Sequence, residues 1–526
     1  MGGHILVTFE PAGVTAHVDP GTTLADAAAS AGVLLASPCG GRGVCGRCAV
    51  RVLEGRPMPP GDAEARGLAR APSGVRLACL ATVGSESLRV GVLSPGLAEE
   101  NMSSFPAGGD GQTTHDQVVA AVDLGTTTVS ALVVDPASTR RLGEATVVNQ
   151  QIRFGADVVS RIGAARAGRA DELSQAAKDS LVAALSGACS ASEIECSELK
   201  RIVVAGNTAM ISLLSGLDVS GLTSAPFEMD PLLLNSDVLR GSLEHVAPDT
   251  TVLAVPAVDA FVGGDLVAGL FAAGLHRALP RRVLYVDIGT NAEIALCGRD
   301  EILVASTAAG PAFEGSGITH GSAAGAGAVI RARMEGSALS VDVIGGGAPA
   351  SICGSGLVSL VALLRRTGHL DASGRMWPQG PLSSRFMTVD NQVVLEVGDS
   401  GPPYLSQADV RLLQTAKAAV AAGLLAVIAR AGEPPEEMLV AGAFGGSLDV
   451  TELVDLGIVP SDIRRIDAIG PTALTGAAAI AADTGLMLEA VGLSRESRHI
   501  ELASDPVFRR EFVASMRFAR FRLRGH

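Results

Sequence analysis

Two short runs, Ile5–Phe9 and Thr15–Val18, alternate apolar and polar positions around a Pro11-Ala-Gly13 turn, which predicts a β-hairpin. Thr22 or Thr23 can cap a short helix over Leu24–Ala31, ended by Gly32. A strand over Cys48–Leu53, a segment Leu77–Thr82 and a strand Leu88–Val92 follow. From Ser94 to Gln117 the pattern dissolves into Gly, Ser, Thr and Pro, as in a flexible linker. Longer apolar runs then begin: strands at Val118–Leu124 and Val129–Val134, helices at Ala156–Ala170 and Asp171–Ala188, and strands at Ile202–Ala205 and Val252–Val255. Val283–Ile288, Glu293–Leu296 and Glu301–Ala305 read as three strands, the last two joined by a Gly298-Arg-Asp turn. Ser406–Ala431 reads as a helix that grows from amphipathic to buried, capped by Ser406 and stopped by Gly432. Met438–Ala441 is strand-like. The tail runs strand, helix, then a basic stretch (Arg509, Arg510, Arg517, Arg520, Arg522, Arg524) that reads most simply as a solvated end.

Within this pattern one phrase occurs twice. Asp123-Leu-Gly-Thr-Thr127 ends one apolar strand, and Asp287-Ile-Gly-Thr-Asn291 ends another, each followed by a second strand. A repeated strand-turn-strand frame implies duplicated lobes. The N–H groups of Gly125, Thr126, Thr127, Gly289, Thr290 and Asn291 suit an anion-binding concavity for phosphates, to which the threonine hydroxyls add donors. Asp123 and Asp287 can hold Mg²⁺ through water or orient an attacking water, which makes them the candidate catalytic pair. A third element, Met438-Leu-Val-Ala-Gly-Ala-Phe-Gly-Gly446, runs a strand into glycines (Gly442, Gly445, Gly446) bare enough for adenosine to approach the backbone. Asn207, Asp259 and Glu314 are either cleft residues or turn stabilisers. Lys417 either reaches phosphate or solvates a helix face, the second reading being favoured.

The cysteines bring a second chemistry. Cys39, Cys45 and Cys48 stand at C-x5-C-x2-C among glycines, and Cys79 follows in Leu77-Ala-Cys-Leu80. Four thiolates hold a 2Fe–2S cluster, and the glycines free backbone N–H groups to face the sulfurs. A structural four-cysteine zinc site is the alternative, though zinc ribbons usually show two separated C-x2-C knuckles. Cys189, Cys196, Cys297 and Cys353 are scattered among apolar residues as reduced structural thiols.

The chain of 526 residues is long enough for several domains, and 47% of it is hydrophobic. A net charge of −14 and only 3% aromatic residues exclude general nucleic-acid affinity and base-stacking platforms. No signal peptide opens the sequence, and the apolar run Ala418–Ile428 is too short to span a membrane, so the expected location is cytoplasmic, with no membrane partner.

The first 95 residues resemble a β-grasp ferredoxin, with a cluster loop closer to the adrenodoxin type than to the plant type. The three glycine-rich motifs, in their order, resemble the actin/sugar kinase/heat-shock ATPase superfamily. Together with Gln151-Ile-Arg-Phe-Gly-Ala-Asp157, Gly206-Asn-Thr208, Ile352-Cys-Gly-Ser-Gly356 and Ile500-Glu-Leu…Asp505-Pro506, they make nearly the whole chain similar to the reductive activators of corrinoid (cobalamin-binding) methyltransferase proteins. The sequence departs from members with a C-terminal four-iron module. The resemblance implies a multi-domain α/β protein: a ferredoxin over 1–95, a linker over 96–117, a first ATPase lobe over 118–275, and a second lobe with the adenosine motif and tail over 276–526. It further implies ATP-dependent reduction of Co(II) corrinoid to Co(I), one electron passing through the cluster. The implied cofactors are a 2Fe–2S cluster, ATP and Mg²⁺. The implied partners are a corrinoid methyltransferase protein, a low-potential electron donor and, as one option, a second copy of the chain. Two other functions fit the same parts: an ATP-gated electron donor to another enzyme, and a small-molecule kinase with a fused redox sensor.

Overall fold

The structure, a computed structural model, describes residues 5–10, 13–31, 33, 35, 48–68, 74–92, 118–138, 140–240, 250–277, 279–389, 391–399, 401–442 and 449–523. The expected linker lies outside the described residues, as does most of the cluster loop.

The N-terminal hairpin forms as Ile5–Glu10 and Val14–Val18. It joins a five-stranded sheet in which Ile5–Glu10 pairs in parallel with Leu88–Val92, which pairs antiparallel with Ala49–Glu54, with Val75–Leu77 at the far edge. The period-two pattern explains the sidedness: Val7 and Phe9 are fully buried while Leu6, on the opposite face, is exposed. They pack with Leu24, Ala27, Val50 and Val90 under the helix Leu24–Ser30. Thr23 caps that helix, its Oγ1 accepting from the Asp26 N–H at 3.0 Å. The predicted segment Leu77–Thr82 is strand only as far as Leu77; beyond it the chain turns, and two helix N–H groups, of Leu24 and Ala25, donate to Ala81 O and Ala78 O.

The rest of the described chain is built on two sheets with one plan. In the first, Val119–Leu124, Thr128–Asp135 and Arg140–Val148 form an antiparallel meander, and Arg201–Gly206 and Thr251–Ala254 add in parallel on the side of the first strand. In the second, Val283–Ile288, Asn291–Cys297 and Ile302–Ala308 form the meander, with Glu437–Ala441 and Arg465–Gly470 added in parallel. The duplication expected from the repeated phrase is therefore real, and the fold is the two-lobed actin/sugar-kinase type. Two helices join the lobes. Gly264–Ala272 and Ala473–Ala482 cross so closely that a Cβ on Gly476 would meet Ala268 O at 1.7 Å. Their apolar faces share one buried cluster with residues of both sheets, among them Val119, Val203, Tyr285 and Ala295.

Four expectations change in detail. The two helices over 156–188 are Val158–Ala164 and Ala170–Ser192, separated by a π-helical segment in which Gly168 takes φ 91°. The capped helix is Gln407–Ala431, with Ser406 and Asp409 exchanging hydrogen bonds and Gly432 at φ 75° closing it. It is long and apolar enough to cross a membrane, and 78% of its most apolar window is buried inside the protein. Lys417 neither reaches phosphate nor meets solvent. It is buried inside that helix packing, donates from Nζ to Arg517 O at 2.7 Å, and burial pushes its pKa down to about 7. The tail is correspondingly no free end: Phe518 is fully buried, and Ser461 N donates to Phe521 O at 2.9 Å. Among the smaller cysteines, Cys189 and Cys196 are free thiols whose sulfurs lie 2.7 Å apart.

Candidate functional site

Two sites emerge, one in each chemistry. In the N-terminal unit, Cys79 sits in the turn held by the helix N-terminus, and Ala78 N donates to Cys48 O at 3.0 Å. This brings the Cys48 thiol to 3.3 Å from Cys79 Sγ. The hydrogen bond from Cys79 outweighs burial and holds Cys48 down at about 7, close to the thiolate that iron requires. Behind them a buried ion pair fixes the approach strand. Both Glu64 oxygens accept from Arg76 at 2.7 Å, and Oε1 also accepts from the Leu77 N–H at 3.1 Å. Two soft sulfur ligands side by side fit one edge of an iron–sulfur cluster. Cys39 and Cys45 lie outside the described residues.

Between the lobes lies a cavity of about 160 Å³. Asp123, Gly125, Thr126, Thr127, Asp287, Gly289, Thr290, Asn291 and Gly442 all line it, so both repeated turns and the start of the third motif meet in one cleft. Gly445 and Gly446 lie outside the described residues. The strand register explains the convergence: Asp123 pairs with Ala205 and Asp287 with Ala441, equivalent positions of the two sheets. Gly125 is required by the turn, since a Cβ there would meet Thr128 O at 2.7 Å.

Of the three undecided residues, Asn207 and Glu314 line the cavity and Asp259 does not. Asn207 does both jobs weighed for it: Oδ1 caps the helix Thr208–Ser215 through the Met210 N–H at 2.9 Å, and the side chain faces the cleft. Asp259 instead binds His499 across 2.7 Å, and that hydrogen bond holds its carboxyl below the usual range.

Three functional neighbours were not foreseen. Asp265 enters the cleft from the start of the helix Gly264–Ala272. The two preceding glycines permit it: a Cβ on Gly263 would meet Asn207 Cα at 2.4 Å, and one on Gly264 would meet Val255 O at 2.2 Å. Glu293 faces the cleft because the hairpin register sets it opposite Asp287. Arg161, fully buried, donates to Gly155 O, Gln151 Oε1 and Thr126 O at 3.0, 3.2 and 2.5 Å, so it pins the first turn from behind. Burial lowers its pKa to about 9.

The cleft is strongly acidic. Asp123, Asp265, Asp287, Glu293 and Glu314 line it, and no Lys, Arg or His is among the described lining residues. Burial raises Asp123 to about 8, with Asp265, Asp287 and Glu314 adding repulsion. Burial likewise raises Asp265 to about 7 and Asp287 to about 6, and lifts Glu293 well above the carboxylate range. Asp287 is oriented by the Tyr285 and Thr472 hydroxyls, at 3.3 and 3.2 Å from Oδ2. Such a site suits a hard divalent cation with phosphate oxygens around it.

Comparison with known proteins follows the same division. Residues 7–84 match the 2Fe-2S iron-sulfur cluster binding domain, residues 118–278 the RACo middle region, and residues 281–524 the C-terminal domain of RACo, the ASKHA domain. The corrinoid activation enzyme RamQ of Eubacterium limosum is 32% identical over 422 residues, covering 76% of this chain and 70% of that protein. A Co(II) methylated amine-specific corrinoid protein reductase of Methanosarcina barkeri is 24% identical over 362 residues, 62% of this chain and 64% of that one. The solved structure of a reductive activator for corrinoid, iron-sulfur protein superposes with a TM-score of 0.72 at 25% identity, covering 98% of both chains. A 2Fe–2S ferredoxin segment followed by the RACo middle and ASKHA segments, in a chain so related, belongs to the RACo family, the reductive activators of corrinoid proteins.

Proposed function

We propose that this chain reductively activates a corrinoid protein, returning Co(II) corrinoid to methyl-accepting Co(I) at the expense of ATP. The observation that carries the ATP part is the convergence of both Asp-x-Gly-Thr turns on one acidic cleft. In this reading the N–H groups and hydroxyls of Gly125–Thr127 and Gly289–Asn291 hold the phosphates, Gly442, with Gly445 and Gly446, lies along adenosine, and Asp123 and Asp287 hold Mg²⁺ or its waters. Asp265 stands beside them as a third carboxylate able to orient water.

Cys39, Cys45, Cys48 and Cys79 hold the 2Fe–2S cluster, which supplies one-electron transfer at low potential when bound. A corrinoid Co(II)/Co(I) couple lying below a ferredoxin-type potential of about −400 mV makes the step uphill, and each ~59 mV costs a factor of about ten. Opening and closing of the two lobes is the two-state element through which nucleotide could gate docking and release of the corrinoid protein. A low-potential donor refills the cluster, and residues 96–117 set the reach of the ferredoxin domain between its partners.

The decisive assay mixes the reduced full-length protein with a Co(II) corrinoid protein and follows the Co(I) spectrum and phosphate release together. Co(I) formed only with ATP is expected. Co(I) at the same rate and extent without nucleotide would remove the ATP coupling. Phosphate transferred to a small molecule rather than to water would favour the kinase reading.

A further inference from the structure

Two glycine-rich phrases in the second lobe, Gly310-Pro-Ala-Phe-Glu-Gly315 and Ile352-Cys-Gly-Ser-Gly356, converge on one side chain. Glu314 ends the 3-10 turn Pro311–Glu314, and Gly315 follows at φ 75°. At three positions around this turn there is no room for a Cβ. A Cβ on Gly354 would meet Phe313 O at 1.6 Å, one on Gly315 would meet Ser322 O at 2.0 Å, and one on Gly321 would meet Gly315 O at 1.9 Å. Backbone wedged against backbone fixes where the Glu314 carboxylate points, and it points into the cleft.

There it takes donors from both lobes. Oε1 accepts from the Thr290 N–H at 2.6 Å and from the Thr290 hydroxyl at 2.8 Å. Oε2 accepts from the Thr127 hydroxyl. Thr127 and Thr290 each belong to one of the two repeated turns, one position apart in the repeat (Thr290 matches Thr126, and Thr127 matches Asn291), so a single anion joins the lobes through both turns. Buried donors left without an acceptor are costly, and an empty phosphate site would leave several. A carboxylate supplies the same chemistry as a phosphate edge: negative charge and two acceptor oxygens.

Resting on the reading of the cleft as an ATP site, we propose that Glu314 is an internal stand-in for the terminal phosphate of ATP. It ties the two turns together when no nucleotide is bound and surrenders both threonines to the incoming phosphate. Two anions cannot share these donors, so nucleotide entry and release of the tie are one event. A diphosphate lacks the terminal group that displaces the carboxylate, and the tie re-forms once phosphate leaves. Glu314 is thus the positioning residue through which the lobes distinguish triphosphate from diphosphate.

The test uses the full-length holoprotein and its Glu314→Gln and Glu314→Ala variants. Dissociation constants are measured calorimetrically for a non-hydrolysable ATP analogue and for ADP, both with Mg²⁺. Removing the competitor should tighten the analogue by about tenfold (~1.4 kcal/mol) in Glu314→Ala. ADP should change by less than about twofold, and the isosteric Gln variant, which keeps the turn packed, should fall between. Unchanged or weaker analogue binding in both variants overturns the proposal, because Glu314 would then be structural or would assist the phosphate. Amide exchange of the nucleotide-free protein supplies a second reading that needs no ligand. Exchange at residues 124–128 and 289–291 should rise together in both variants, and no rise overturns the tie. Should wild type bind neither nucleotide while exchange rises as expected, the ATP reading fails and the inter-lobe tie stands.

Discussion

The acidic cleft makes a proton-coupled prediction about Mg²⁺–nucleotide binding. Asp123, Asp265 and Asp287 stand at about 8, 7 and 6. At pH 7 they are therefore roughly nine-tenths, one-half and one-tenth protonated, and together hold on the order of one to two protons. A divalent cation favours the charged form of each carboxylate, so loading the site must expel those protons. Affinity for Mg²⁺–nucleotide therefore rises with pH from about 6 to about 9, by up to about tenfold per pH unit for each proton released, and levels off only once Asp123 too is ionised. The assay is titration calorimetry at pH 7 with saturating Mg²⁺, repeated in buffers of different ionisation enthalpy, so that the slope of heat against that enthalpy counts protons. About one proton or more is expected. Asp265→Asn should lower the count by about half a proton or more, since it removes one titrating group and relieves repulsion on Asp123. Tight binding with a slope of zero would refute the reasoning, because it would mean the carboxylates are ionised before the cation arrives.

Asp287→Asn should abolish ATP hydrolysis while leaving the visible spectrum of the cluster intact, and Asp123→Asn should do the same if both turns serve one magnesium–phosphate unit; phosphate-release assays on both variants decide it. The purified protein should carry two irons and two sulfides per chain and give a one-electron EPR signal on reduction, whereas stoichiometric zinc under iron-replete conditions would overturn the assignment of Cys39, Cys45, Cys48 and Cys79. Arg161→Ala strands the Thr126, Gly155 and Gln151 acceptors in a buried site, at a cost of about 1–3 kcal/mol for each acceptor left unsatisfied. It should therefore lower the denaturation midpoint and speed amide exchange around Thr126, with Arg161→Lys milder because it keeps the charge but loses the fork. An equal-length Gly/Ser replacement of Ala107–Gln112 should leave Co(I) formation nearly unchanged, while deletion of those six residues should slow it at constant basal ATPase.

Local pattern carried far in this chain, and its failures share a cause. Period-two alternation marks the hairpin, and the repeated Asp-x-Gly-Thr phrase marks both turns of the cleft, because each feature is written in adjacent residues. Glu293 escaped notice since nothing near it in sequence marks it; only the hairpin register sets it opposite Asp287. Asp265 carries a legible sign, two glycines before a helix start, but Asp259 at the other end of the same stretch is an equally plausible carboxylate in the sequence, and only the fold separates them. Lys417 reads as a helix-surface charge because a lone basic residue usually is one, and nothing in the local pattern marks Arg161. Their burial depends on a turn and a tail that reach them from far along the chain.

The helix Ala473–Ala482 lies late in the sequence, yet it walls the first-lobe sheet and interlocks with Gly264–Ala272 at Gly476 and Ala268. The covalent seam near residue 280 is consequently not the mechanical one. A recombinant fragment that stops there would leave Val119, Val203 and their neighbours bare, and would aggregate or recruit a substitute helix. Supplying residues 281–526 in trans should rescue its solubility. Chimaeras between relatives would have to exchange Gly264–Ala272 and Ala473–Ala482 as a pair, so their sequences are constrained to change together.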